Sequence, residues 1–90
     1  MMEFLDACQK AITEMKKNKF IEGFVEIRED SDAWYFFGIF DSDNKMNYGN
    51  LPYAVKKNNG ECDVFPMFAP GNFLKMSKTK QIDIPSKYTI

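Results

Sequence analysis

The chain has 90 residues, 44% of them apolar and 16% aromatic, and its 12 basic and 13 acidic side chains leave a formal net charge of -1. That length has room for one core and excludes a second domain, the apolar content excludes a disordered segment, and the balanced charge offers nucleic acid no attracting field. The chain contains no histidine, which removes the serine and cysteine triads that rely on an imidazole base, together with most zinc and non-haem iron sites.

From Glu3 to Lys17 the apolar residues Phe4, Leu5, Cys8, Ala11, Ile12 and Met15 recur at spacings of three and four, which predicts a helix with one buried face. Glu3 and Asp6 at its start and Lys16, Lys17 and Lys19 at its end complement the helix dipole, and Asn18 reads as its stop. The period then changes to two. Residues 20–28 read as a strand with Ile21, Gly23, Val25 and Ile27 on one face and Phe20, Glu22, Phe24, Glu26 and Arg28 on the other.

Glu29 to Asp32 supply turn chemistry, and Ala33 to Phe40 form a second strand that is apolar on both faces, as central strands are. Either Trp34, Phe36 and Phe40 or Tyr35 and Phe37 must face away from the helix, and without a second layer that face would be an apolar patch. Residues 41–50 form a polar loop. Leu51 to Lys57 and Glu61 to Phe68 flank Asn58-Asn59-Gly60, a hairpin signal for a third and fourth strand. Pro66 and Pro70 end the fourth strand, Asn72 to Ser77 fit one short helical turn, and Gln81 to Ile84 fit a last edge strand stopped by Pro85. The expected fold is a single α+β domain over residues 1–90, an N-terminal helix packed on a three- to four-stranded antiparallel meander.

Little in the chain promises catalysis. A carboxylate pair could work alone, as in glycosidases, but no pair stands out, so the expectation is a protein without an active site. Asp41-Ser42-Asp43-Asn44-Lys45 opens like a calcium loop, yet Lys45, Met46 and Pro52 occupy positions where that loop needs a ligand, a glycine and a glutamate. No glycine motif for phosphate surrounds Gly49 or Gly60. Neither a metal nor a cofactor is expected. Cys8 and Cys62 form no metal-type spacing, and a cytosolic setting favours free thiols over a disulfide. The acidic N-terminus lacks a signal peptide's basic region and no apolar run approaches a membrane span, so the expected location is cytoplasmic, away from membranes.

Charge is unevenly spread. Segment 20–43 holds Glu22, Glu26, Glu29, Asp30, Asp32, Asp41 and Asp43 against Arg28 alone, whereas segment 71–90 holds Lys75, Lys78, Lys80 and Lys87 against Asp83. Glu22, Glu26, Asp30, Asp32, Asp41 and Asp43 are therefore candidate steering groups for a protein partner, with Trp34 and Tyr48 as aromatic anchors. An ordinary solvated strand face would carry the same residues. The stretch Lys75 to Lys80 is open to two readings as well, a phosphate contact or a solvated surface.

Trp34-Tyr35-Phe36 in a strand, Gly49-Asn50-x-Pro52-x-x-Val55 opening the next, and Gly60-Glu61 at a hairpin follow one another in an order that resembles the YrhB-like small bacterial proteins of immunity protein family 35. The resemblance spans roughly residues 3 to 85 and includes the leading helix. It implies a cytoplasmic member of a bacterial polymorphic-toxin system that binds and neutralises a cognate toxin, without catalytic residues. The acidic bias would suit a basic toxin domain, but the family pattern assigns no contact residues. The rival expectation is a small self-associating or ligand-binding housekeeping or stress module, with an apolar pocket lined by Trp34 or Tyr35. Monomer and homodimer are both compatible with the sequence.

Overall fold

Spacings of three and four residues place Ala7, Cys8, Ala11, Ile12 and Met15 on one side of helix α1 (Phe4–Lys17), and all five are buried. Leu5, expected on that stripe, is 59% exposed. At 100° per residue it sits about a quarter turn from the line through Phe4, Cys8, Ala11 and Met15. The computed structural model describes residues 2–17, 20–40, 52–66 and 69–88.

Helix α1 lies across strands β1 (Phe20–Glu29), β2 (Ala33–Phe40) and β3 (Tyr53–Lys56). The chain continues through β4 (Cys62–Val64), the short helix α2 (Asn72–Ser77), β5 (Lys80–Ile82) and a 3-10 turn at Ser86–Tyr88. The fold is α+β with an antiparallel sheet in the order β4-β3-β2-β1-β5. Five strands replace the expected three or four, because the chain after α2 returns to the open side of β1 and pairs Ile82 with Ile27.

The alternation read along β1 does not persist in the sheet. Phe24 pairs with Gly38 but Glu26 pairs with Phe37, so β1 carries an extra residue there, and a further register shift lies between Phe20 and Phe24. A bulge of this kind reverses which side chains point inward. Phe24 and Ile27 are both buried beneath α1, while Val25, expected beside Ile27, is 50% exposed.

Strand β2 divides its aromatic residues between two cores. Trp34 and Phe36 pack with α1, Phe24, Ile27, Val55 and Tyr88, whereas Tyr35 packs on the opposite face with Ala33 and Met76 of α2. Phe65 meets the Tyr35 ring edge-on at 5.0 Å. Tyr35, only 1% exposed, is thus covered by a second layer built from α2 and the segment after β4. Full burial of Phe24, Ile27, Phe36 and Val55 contributes ~1.5–3 kcal/mol per side chain.

The hairpin between β3 and β4 closes as expected. Gly60 adopts φ 74°, its N–H donates to Lys56 O at 2.8 Å, and Asn59 Oδ1 accepts from the Glu61 N–H. A side chain would be strained at that φ. Cys8 and Cys62 are free thiols; Cys8 is fully buried, Cys62 is half-buried, and burial pushes both up to about 11.

Candidate functional site

At the end of β1, Asp30 organises the turn into β2. Its Oδ1 accepts from the N–H groups of Asp32 and Ala33 at 2.8 and 2.9 Å, the side-chain mimicry of a turn for which Asp is suited. Its Oδ2 accepts from the Tyr35 hydroxyl at 2.8 Å and lies 3.3 Å from Lys75 Nζ. Burial alone would raise this carboxyl; the Asp32 N–H, Tyr35, Ala33 N–H and Lys75 outweigh it and hold Asp30 below its ordinary value.

The neighbouring acids are occupied too. Glu29 accepts from Lys57 at 2.7 Å, which lowers its pKa, and the same ammonium stands 5.1 Å from the centre of the Trp34 ring. Glu26 accepts from Arg28 Nη1 at 2.8 Å. Arg28 also donates through Nε to Thr79 Oγ1 and through Nη2 to the Thr79 carbonyl, tying β1 to the turn ahead of β5. Asp32 has a side chain 75% exposed and shares Lys75 at 3.4 Å.

Of the residues singled out in the sequence, Asp30 and Asp32 meet at this corner and Glu26 lies along the same strand in its own ion pair. Trp34, proposed as an anchor, is only 7% exposed and belongs to the core beneath α1. Glu22 lies on β1, but its side chain, like residues Asp41, Asp43 and Tyr48, falls outside the described residues.

Besides the exposed Asp32, the open part of the corner carries cations and apolar side chains. A hollow of about 550 Å³ is lined by Glu29, Asp30, Ser31, Lys57, Lys78 and Lys80. Lys57 is held by Glu29, while Lys78 and Lys80 are exposed and form no ion pair with a described carboxylate, although the Lys80 charge also lowers the pKa of Glu29, which it faces across the β1–β5 pairing. Beside them α2 presents Phe73 and Leu74, 71% and 60% exposed, and buries only Met76. Such a surface can hold an anionic, partly apolar group. Among the described residues no group of three or more His, Cys, Asp or Glu could hold a metal ion, and no helix is long and apolar enough to cross a membrane.

Against protein-family models, curated proteins and solved structures, the chain has no match.

Lys75 to Lys80 stand out in the sequence as a basic stretch, whereas Lys57, Phe73 and Leu74 do not. A signal was present in Asn72-Phe-Leu-Lys-Met-Ser77. In a helix of six residues that buries Met76, Phe73 shares its i−3 row, but Leu74 points elsewhere, so at least one large apolar side chain had to face outward.

Proposed function

We propose that this chain acts by binding another protein and has no chemistry of its own, in the manner of the toxin-neutralising bacterial proteins it resembles. The observation that carries this reading is the adjacent pair Phe73 and Leu74, left 71% and 60% exposed on a helix otherwise anchored through Met76 and Lys75. Covering two such side chains stabilises a complex by ~1.5–3 kcal/mol each before ordering costs, which is the contribution expected of a small interface centre.

The acids of segment 20–43 support the reading less directly. Glu26, Glu29 and Asp30 hold the fold together through Arg28, Lys57 and Lys75, and Asp32 is the described member most open to solvent. The weight of the interface accordingly moves from β1 to α2.

The test is a pull-down from the native host with tagged protein, repeated with Phe73→Ser/Leu74→Ser, followed by co-expression of any partner to see whether its toxicity is suppressed. A stoichiometric partner whose toxicity the wild-type chain suppresses supports the reading. Recovery of a monodisperse chain without a partner, or a partner that is harmless with or without it, would sink the toxin-neutralising role.

A further inference from the structure

We infer that the corner formed by Phe73, Leu74, Lys78 and Lys80 docks a segment of a protein partner that is itself acidic and apolar, so that the partner's contact region is opposite in charge to the one the acid-rich β1 segment suggests. This rests on the protein-binding reading above and assigns its surface. Leu74 and Lys78 are four residues apart across the end of α2 and lie on the same side of it. Lys78 in turn shares the hollow with Lys80. Apolar and cationic groups are thereby contiguous.

The sign of the charge follows from which cations are already committed. Lys57 is bound to Glu29 at 2.7 Å and Lys75 to Asp30 at 3.3 Å, pairs that join the turn after β3 and α2 to the end of β1. Once those pairs are made, Lys78 and Lys80 are exposed beside α2 and in no ion pair with a described carboxylate, Lys80 standing only in the longer-range field of Glu29, which it faces across the β1–β5 pairing. A partner with carboxylates next to Leu- or Phe-like side chains satisfies both halves of the surface.

The same geometry disfavours a membrane. Glu29 and Asp30 line the hollow and the side chain of Asp32, two residues on from Asp30, is 75% exposed, so a continuous anionic lipid surface would be repelled where a peptide can place single carboxylates on Lys78 and Lys80.

The experiment pans a phage-displayed library of random short peptides on the full chain, and on Lys78→Glu/Lys80→Glu and Phe73→Ser/Leu74→Ser, with circular dichroism and thermal melting confirming that each variant is folded. The expected result is enrichment of peptides that combine Asp or Glu with Leu or Phe. Their affinity should fall about tenfold or more in either variant and weaken with added salt. Enrichment without acids, equal binding to the variants, or no enrichment would overturn the assignment. So would lysine-dependent binding to phosphatidylserine vesicles in place of peptides. A host partner retained by both variants would reject this corner while leaving protein binding intact, whereas absence of any host partner would reject the function itself.

Discussion

The Tyr35 hydroxyl donates a 2.8 Å hydrogen bond to Asp30 Oδ2, and the same oxygen faces Lys75 Nζ, so one carboxylate joins β2, the turn before it and α2. The ring of Tyr35 is meanwhile packed against Phe65. Removing the hydroxyl by Tyr35→Phe keeps the packing and deletes one bond to a charged acceptor, which should cost ~1.5–3 kcal/mol in urea unfolding. Burial and the Asp30 carboxylate push this phenol up to about 12. Its folded-state pKa is raised, so the stabilisation is complete below the ordinary value of 10.0 and is lost as pH rises through about 12. Ultraviolet titration should show one late phenolate that Tyr35→Phe lacks; an unshifted set of tyrosines would contradict the bond.

Acid should act on the same corner from the other side. Asp30 and Glu29 are both lowered from their ordinary values of 3.8 and 4.5. A depressed carboxyl stabilises the fold fully above its unfolded pKa and progressively less as pH falls through the folded one. Stability is therefore expected to hold at neutral pH and to decline from about pH 4.5 downward. Asp30→Asn, which cannot accept from both Tyr35 and Lys75 through its amide nitrogen, should cost ~2 kcal/mol at neutral pH and flatten the acid limb. Parallel acid limbs for the variant and the wild type would show that Asp30 does not drive the decline.

Among the described residues, two glycines adopt positive φ, in different surroundings. Gly60 has φ 74° and a Cβ there would lie 2.7 Å from Met2 Cε, whereas Gly71 has φ 83° with nothing within 4 Å of the added atom. Gly71→Ala should cost ~1 kcal/mol from backbone strain alone, and Gly60→Ala ~1–2 kcal/mol because the Met2 side chain must also move. Chemical denaturation of both, and of Gly60→Ala with Met2→Ala, checks this. If the second substitution recovers none of the excess, the Met2 contact is not its cause.

Both thiols should resist alkylation near neutral pH. Burial places Cys8 and Cys62 at about 11, so little reactive thiolate is present in either. With iodoacetamide and mass spectrometry, half-buried Cys62 is expected to react before fully buried Cys8, and both rapidly only in denaturant. Quick labelling of Cys8 in the native protein would contradict its place beneath the sheet.

Much of the architecture was legible in local pattern. The spacing of Cys8, Ala11, Ile12 and Met15 announced α1, the dense β-formers of Ala33–Phe40 announced a central strand, and Asn58-Asn59-Gly60 announced the hairpin. The β1 bulge was not legible, because alternation records which side chains differ and not how many residues of one strand face the next. Val25 consequently exchanged sides with Phe24. The cover over Tyr35 was equally hidden, since Met76 comes from a helix more than a strand's length away along the chain.

Composition and period by themselves determined the α+β class, its helix, its central strand and the want of an imidazole. Tertiary structure alone decided the electrostatics of the corner. Counted along the chain, β1 and its flanking turns are strongly acidic; in space, Arg28, Lys57 and Lys75 neutralise Glu26, Glu29 and Asp30, and Lys78 and Lys80 stand exposed beside them. The reason is that Coulomb interaction depends on distance through the folded molecule, and folding sets cations from the turn after β3 and from α2 within about 3.3 Å of acids that the sequence keeps far from them.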